Sequence, residues 1–316
     1  SLGLKGIFHA ADVEPYFAAA CVTQYAHRVP PSHSSEYVPS LLRLARRHRI
    51  DLVIPLIDSE LLPLTNAADQ FARFKCGVVV SSPEVVRTCR DKLKMFEFLA
   101  RHQIDTPQTW TLAEIRRIRR YQFPYFAKPR FGSASKGNFI VRNRHDWAAL
   151  TPLVPDGLVQ EFVPGVEHTL DVYTGYRGEP CCVVPRRRIE VRGGEVTKAQ
   201  TVKHEGIMET GMRVARTLGG CVGLITIQLI LTPEERIRVI EVNPRFGGGA
   251  PLGIWAGADS PRWLLSEWLG RKPRIRLDNF QEGLMMLRYH QSFFIHVADS
   301  DQTNSARKPK QGRFHR

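Results

Sequence analysis

Residues 237–249 read Ile-Arg-Val-Ile-Glu-Val-Asn-Pro-Arg-Phe-Gly-Gly-Gly, and this stretch is the strongest motif in the sequence. Its apolar alternation predicts a strand that presents Glu241 and Asn243 side by side on one face. Pro244 and the glycines at 247–249 indicate a tightly built loop at the end of that strand. Arg245 follows on the same face, where a guanidinium can contact an anionic phosphoryl or acyl-phosphate group.

A second strand should return beside this one through a hairpin. A turn centred between Glu234 and Glu235 would place Gln228 opposite Glu241. Gln228, Glu241 and Asn243 would then bring oxygen-bearing side chains to one spot. Oxygen ligands that include a carboxylate suit Mg²⁺, which shares its shell with nucleotide phosphates. The alternative is a polar strand end that carries a surface ion pair.

A loop of small residues follows Lys128, which ends a predicted strand. The loop contains Gly132, Ser133, Ser135 and Gly137, so backbone N–H groups and hydroxyls could approach phosphate oxygens while Lys128 supplies a positive charge. The order differs from the P-loop G-x-x-x-x-G-K-[ST], in which the lysine follows the glycines. An ordinary hairpin turn with a solvated lysine is the alternative.

A third segment, residues 159–167, is compatible with a purine site. Its strand offers a backbone edge and an apolar wall to an adenine ring, and Glu161 or Glu167 could bind ribose hydroxyls. A half-buried strand that leaves through the Pro164-Gly165 turn explains the pattern equally well.

Composition excludes several classes of protein. The chain has 316 residues, 43% of them apolar and 24% charged, which is enough to bury a core in about two domains and argues against a disordered chain or a fibre. We see no apolar run near the ~20 residues that a membrane span requires and no signal-peptide pattern. The six cysteines have irregular spacing, so we expect reduced thiols and a cytoplasmic protein rather than a disulfide framework or a zinc site.

The formal charge of +14 raises the question of nucleic acid. The basic clusters at 43–49 and 116–120 lie on helix-like segments and are typical of solvated helix faces. No RNA-binding motif or metal finger accompanies them, so we do not expect nucleic acid as the main partner.

Along the chain, the pattern predicts three regions. Residues 1–88 alternate short strands, including a buried strand at 51–57, with helices, and we expect a Rossmann-like domain that lacks its first strand. Strands dominate residues 89–278, in which residues 121–163 would form a lid subdomain. Residues 279–316 form a C-terminal extension whose basic end should be disordered.

Taken together, these motifs resemble the ATP-grasp superfamily. Asp91-Lys92 at the start of a helix, Lys128 with its loop, Gln160-Glu-Phe-Val163, Gln228, and Glu241-Val-Asn-Pro-Arg245 occur in the order and spacing of that superfamily. Residues 185–192 and 195–198 resemble a stretch of its carbamoyl-phosphate-synthase-like branch. The similarity covers about residues 1–275.

The resemblance implies an α/β (α+β) fold, an ATP-grasp domain behind an N-terminal pre-ATP-grasp domain. It implies that Lys92 and Lys128 bind ATP phosphates under a mobile lid formed by residues 132–137. Mg²⁺, or alternatively Mn²⁺, would bind the oxygens of residues 228, 241 and 243. The implied residues are Lys92, Lys128, Gly132, Ser133, Ser135, Gly137, Glu161, Phe162, Val163 and Glu167 for ATP; Gln228, Glu241 and Asn243 for the metal; and Arg245 and Lys128 for catalysis.

The resemblance also implies an activity: a carboxylate attacks the γ-phosphate of ATP, and an amine then displaces the acyl phosphate to form an amide or peptide bond. Arg186, Arg188 and Lys198, with the loop Gly247, Gly248 and Gly249, are our candidates for binding an anionic substrate; a solvated edge strand is the alternative for the three basic residues. Two alternative functions are open: the chain could phosphorylate bicarbonate or carbamate, or it could be a non-catalytic ATP-binding module. The partners expected are small-molecule carboxylates and amines; we allow for a homodimer, although no residue pattern specifies one.

Overall fold

A computed structural model describes residues 5–132, 136–154 and 156–295 of the chain. The predicted site residues Ser133 and Ser135 lie outside these described residues, as does the basic end at 298–316.

The described chain forms helices and strands with the following bounds. The helices are α1 (Tyr37–His48), α2 (Asp58–Ala72), α3 (Pro83–Arg90), α4 (Lys92–Arg101), α5 (Leu112–Ile115), α6 (Arg144–Leu150), α7 (Glu205–Leu218), α8 (Ala250–Trp255) and α9 (Ser260–Trp268). The strands are β1 (His9–Asp12), β2 (Tyr25–Arg28), β3 (Leu52–Val53), β4 (Gly77–Val78), β5 (Thr109–Thr111), β6 (Tyr125–Pro129), β7 (Phe139–Val141), β8 (Gly157–Glu161), β9 (Val166–Gly175), β10 (Cys182–Arg192), β11 (Glu195–Thr201), β12 (Gly223–Leu231), β13 (Ile237–Asn243) and β14 (Met285–Leu287). None of the described helices combines the length and apolarity that a bilayer span requires.

Two compact units divide the chain, and the first comprises residues 1–53, 67–77 and 289–316. Its described part contains the parallel strands β1 and β2, in which His9 pairs with Tyr25, and the helix α1, which buries Tyr37 and Ala45. Parallel pairing is the arrangement that the alternating α/β pattern predicts for this region.

The predicted buried strand at 51–57 is wrong in extent. Only Leu52–Val53 forms a strand, in a two-stranded sheet with β4. Pro55 has no N–H to give to a sheet ladder, which explains why the strand stops there. Leu56 and Ile57 are 60% and 54% exposed rather than buried.

The second unit comprises residues 54–66 and 78–288 and is built on a six-stranded antiparallel sheet. The strand order is β13-β12-β9-β10-β11-β14. Helix α7 packs closely on this sheet at Gly211, where an added Cβ would lie 2.8 Å from Leu170 and 3.1 Å from Val183. Strand β14 pairs with β11 in this sheet, although the sequence assigns residues 285–287 to a C-terminal extension.

A four-stranded antiparallel sheet in the same unit has the order β5-β8-β6-β7. Its core clusters Ile115, Tyr125, Ala127, Val141 and Val159. Three of its strands, β6, β7 and β8, lie within residues 121–163, the segment that the sequence predicts to be a lid, and the fourth, β5, precedes residue 121.

Asp91, which the sequence places at the start of a helix, caps α4. Asp91 Oδ1 accepts hydrogen bonds from the backbone N–H groups of Leu93 and Lys94 at 3.1 and 3.3 Å. Both Asp91 oxygens also accept from Arg130, at 2.8 and 2.6 Å. The cap therefore ties the first turn of α4 to the residue that follows β6.

Candidate active site

A cleft of about 730 Å³ in the second unit contains most of the predicted site residues. The residues from that prediction that line it are Lys92, Lys128, Gly132, Glu161, Phe162, Val163, Glu167, Arg186, Arg188, Gln228, Glu241, Asn243, Arg245, Gly247, Gly248 and Gly249. Motifs that are far apart in the sequence thus meet on one surface.

The hairpin of β12 and β13 brings the predicted metal ligands together. Gln228 pairs with Glu241, while the next pair is Leu229 with Val239, so Ile240 is an extra residue in β13. Within the described part of the chain, the side chains of Gln228, Glu241 and Asn243 make no hydrogen bond or ion pair. Their oxygens face the cleft without a protein partner, and one carboxylate with two amide oxygens is a donor set that fits Mg²⁺.

Lys128 is 3% exposed and is held by a short hydrogen-bonded chain. Its Nζ donates to Gln160 Oε1 at 3.0 Å, and Gln160 Nε2 donates to Thr109 Oγ1 at 2.8 Å. Burial lowers the pKa of Lys128 to about 8, although Glu241 opposes the shift. A buried ammonium of this kind is poised to gain from a polyanionic ligand.

Lys92 lies at the first position of α4 and reaches the loop that follows β6. Its Nζ donates to the carbonyl oxygen of Gly132 at 2.8 Å, and its backbone N–H donates to Arg130 at 3.3 Å. Burial raises the pKa of the Asp91 carboxyl, but the Arg130 hydrogen bond and the Lys94 N–H outweigh it, so the net pKa is lowered. Asp91 stays ionised and keeps Arg130 in place beside Lys92.

The two predicted carboxylates of the purine segment differ in state. Glu161 accepts from Arg238 at 2.7 Å and from the Gln108 N–H at 3.1 Å; burial opposes the effect of these contacts, but the net pKa of Glu161 is lowered. Burial raises the pKa of Glu167, although Arg188 lies 3.2 Å away. Glu161 thus forms an ion pair with Arg238. On the cleft wall, the cost of burying the Glu167 carboxylate is only partly offset by the nearby Arg188.

Arg245 forms a two-point ion pair that the sequence does not predict. Its Nε and Nη2 donate to the two carboxylate oxygens of Asp58 at 2.7 and 2.6 Å. Asp58 lies in the first turn of α2 and also lines the cleft. The planar fork of the guanidinium is therefore fixed in orientation beside the strand that carries Glu241 and Asn243.

Arg186 is the largest of the fully buried side chains, at 1% exposed. Its Nε and Nη2 each donate to Asp171 at 2.8 Å, while its Nη1 has no hydrogen-bond partner within the described structure. A Cβ added to Gly249 would overlap this Nη1. The same glycine loop thus lies against Arg186 at Gly249. Arg288 also holds this loop, because its guanidinium donates to the carbonyl oxygen of Gly248.

Two predicted residues are not among the described residues that line the cleft. Lys198 lies on β11 and forms a 3.7 Å ion pair with Glu190. Gly137 has φ +76° and would place a Cβ 3.0 Å from Pro129, so it serves a tight turn.

Several residues of the site escape prediction from the sequence. Asp58 and Arg288 line the cleft, and Asp171 holds the cleft residue Arg186. The structure identifies each of them through its contact with an arginine or with the glycine loop. Asp171 carried the best signal, because an acid within an otherwise apolar predicted strand requires a buried counter-charge.

Comparison with known proteins identifies two domains in the chain. A family model described as the ATP-grasp domain matches residues 89–249, and one described as the PylC-like N-terminal domain matches residues 3–79. The 3-methyl-D-ornithine–L-lysine ligase of Methanosarcina mazei is 28% identical over 240 residues, which are 75% of this chain and 59% of that protein. The chain therefore spans about three-fifths of the length of this curated relative.

Solved structures share the fold at low sequence identity. The biotin carboxylase domain of 2-oxoglutarate carboxylase from Hydrogenobacter thermophilus has a TM-score of 0.71 at 15% identity, covering 90% of this chain and 68% of that chain. The L-amino acid ligase of Bacillus licheniformis has a TM-score of 0.56 at 18% identity, covering 72% of this chain and 57% of that chain. Since the ATP-grasp model spans half of the sequence and its matched segment supplies most of the cleft, the chain belongs to the ATP-grasp family.

Proposed function

We propose that the chain is an ATP-dependent carboxylate–amine ligase that joins small molecules by an amide or peptide bond. The observation that carries the proposal is the convergence, in one cleft, of unpartnered oxygens from Gln228, Glu241 and Asn243 with the cations of Lys128 and Arg245. The names of the Methanosarcina and Bacillus relatives, both ligases, support the same class of reaction.

In the proposed site, Lys92 and Lys128 bind the phosphates of ATP. Lys128 is buried with a lowered pKa, so a phosphate beside it favours the protonated form and gains an ion pair in a poorly solvated place. The segment that includes Glu161, Phe162 and Val163 lines the cleft and would border the adenine, and Glu167, which also lines it, would lie near the ribose. Gly132 belongs to the loop that Lys92 holds, which would cover the phosphates.

Gln228, Glu241 and Asn243 would hold Mg²⁺, which would neutralise phosphate charge and orient the phosphates. Arg245 donates its remaining N–H groups to the phosphoryl group in transfer, while Asp58 keeps its plane fixed. The reaction needs no protein nucleophile: the substrate carboxylate attacks the γ-phosphate, ADP leaves, and the amine displaces phosphate from the acyl phosphate. The protein's contribution is positioning and charge neutralisation.

The test is ADP and phosphate release with pairs of carboxylates and amines, beginning with D-ornithine and L-lysine because of the relative's name. Amide product with stoichiometric ADP supports the proposal. Carbamoyl phosphate formed from bicarbonate would instead identify the second reading, and ATP binding without ADP formation on any pair would identify a non-catalytic module. Glu241→Ala should abolish turnover, with Glu234→Ala in the exposed hairpin turn as the control.

The six cysteines are all free thiols, which supports the proposal of a cytoplasmic location. A homodimer stays a proposal; the Hydrogenobacter neighbour is described as a domain dimer.

A further inference from the structure

The sheet carries a polar row that runs across four adjacent strands. Glu241 pairs with Gln228, Gln228 with Thr169, and Thr169 with Arg186. Residues paired directly across antiparallel strands point to the same face, and all four of these line the cleft. Neighbouring strands lie about 4.8 Å apart, so the backbone of Arg186 lies roughly 14 Å from that of Glu241. The proposed metal ligands and the buried arginine are thus opposite ends of one surface.

The arginine end of the row has an unfilled hydrogen-bonding capacity. Asp171 uses the Nε and Nη2 of Arg186 in a two-point pair, and Nη1 is buried without a hydrogen-bond partner in the described part of the chain. Leaving a buried donor of a charged group unsatisfied is costly, so such groups are rare unless a ligand or water completes them. An acceptor oxygen is therefore the missing partner at this place.

The surroundings of Nη1 favour an anionic oxygen over a neutral one. Arg188 is on the same face of β10, 10% exposed, with its Nε 3.2 Å from Glu167 and its Nη1 3.4 Å from Thr169 Oγ1. Arg288 adds a third guanidinium beyond the glycine loop, donating to Glu195 at 3.1 Å. The carboxylates that face Arg188 and Arg288 are those of Glu167 and Glu195. They are 38% and 71% exposed, so they offset the positive charge of these two arginines only weakly, whereas Asp171, the partner of Arg186, is buried.

The glycine loop packs directly against this end of Arg186. A Cβ added to Gly249 would overlap Arg186 Nη1, and one added to Gly247 would lie 2.8 Å from Thr226 Oγ1. Glycine at these positions lets the loop backbone approach the guanidinium and β12 closely, where a side chain would displace them.

We infer that Arg186 Nη1 anchors a carboxylate that does not react: the free carboxylate of an amino-acid substrate whose reacting group extends along the row toward Gln228 and Glu241. This inference rests on the proposed function. The phosphoryl group is handled at the β12–β13 end, and two strand spacings, roughly 10 Å, separate Gln228 from Arg186. A carboxylate held at Arg186 is too far from that end to be the one activated, so it serves to select and align the substrate.

The experiment compares each amino acid with its carboxamide. The probes are the proteinogenic amino acids and ornithine in both configurations, each paired with its amide, titrated calorimetrically into the full chain with Mg²⁺ and a non-hydrolysable ATP analogue. At least one acid should bind about tenfold or more tightly than its amide, the range expected for a hydrogen-bonded buried charge pair. If no acid is preferred over its amide by more than about twofold, the inference is overturned.

Variants locate the preference. Arg186→Lys and Gly249→Ala should reduce the acid-over-amide preference to less than about threefold, because each removes or blocks the free donor. Arg187→Lys is the matched control, since Arg187 is the next residue of the same strand, is exposed and does not line the cleft. If Arg186→Lys fails to fold, Gly249→Ala decides, because its methyl group displaces Arg186 Nη1 while the arginine itself is kept. A preference that survives in a folded Gly249→Ala variant contradicts the inference.

ADP release in parallel samples that contain ATP in place of the analogue separates this inference from the proposed function. Acid-selective binding without ADP from any pair refutes the ligase proposal and leaves the carboxylate site. ADP formed equally from acids and amides supports the ligase and refutes the site.

Discussion

Asp58 should position Arg245 for the chemical step, and removing its carboxylate should lower turnover much more than ATP affinity. Asp58 holds Arg245 by two hydrogen bonds of 2.7 and 2.6 Å, with side-chain exposures of 24% and 16%. A charge pair at this separation is worth at most about 4 kcal/mol in an effective dielectric constant near 20. Partial exposure reduces this, and we take about 2 kcal/mol as the coupling, which equals about a 30-fold change in rate.

The assay is a double-mutant cycle on kcat for ADP formation. Asp58→Ala should lower kcat about 30-fold, while the ATP dissociation constant measured by calorimetry should change less than about threefold. In Arg245→Ala, the further change Asp58→Ala should have almost no effect, because the residue that Asp58 positions is absent. Asp69→Ala is the control, since Asp69 is an exposed acid on the same helix.

Two results would refute this reasoning. If the effects of Asp58→Ala and Arg245→Ala on log kcat simply add, the two residues act independently. If Asp58→Ala raises kcat, the pair instead restrains Arg245 in the free protein and must open before the reaction.

Three further predictions follow from the site. Burial lowers the pKa of Lys128 to about 8, and bound phosphates favour its protonated form. ATP affinity should therefore be constant below about pH 8 and fall about tenfold per pH unit above it, which calorimetry across pH should show. Lys128→Met should remove this pH dependence. Glu241→Gln should weaken ATP binding in the presence of Mg²⁺ but not in EDTA, and equal weakening in both would contradict a metal-binding role. Asp91→Ala should lower the free energy of unfolding, measured in urea, by about 2 kcal/mol. Asp91→Asn should lower it by about 1 kcal/mol, since Asn keeps the cap but loses the charge pair with Arg130. Identical losses in the two variants would mean that the charge pair contributes nothing to stability.

Local patterns in the sequence were sufficient for much of the fold. The strands of the larger sheet have alternating or apolar patterns, and the cap at Asp91 follows from side-chain chemistry within a few residues. The error at 51–57 had a local cause too, since the apolar run suggested a strand but Pro55 stopped it. Strands, caps and strand ends that are determined by adjacent residues can therefore be predicted from the sequence.

The side chains that orient the cleft arginines could not be found in this way. Asp58 precedes Arg245 by 187 positions, and no local rule links a helix start to a distant strand end. Asp171 and Arg186 are closer, but their pairing depends on the register of β9 with β10. A charge contact of this kind is a property of the tertiary structure, so one sequence predicts the donors and not their partners.

The pairing of Gln228 with Glu241 shows how a correct prediction can rest on an irregularity that it did not include. Near the turn, Leu231 pairs with Ile237, and a regular ladder from that point would place Gln228 opposite Ile240. Because strand side chains alternate between faces, Glu241 would then lie on the face opposite to Gln228. The extra residue shifts the register by one, so that Gln228 and Glu241 face each other and both line the cleft. The bulge at Ile240 is thus the feature of β13 that allows one hairpin to present its amide and its carboxylate on the same face of the sheet, as the proposed metal site requires.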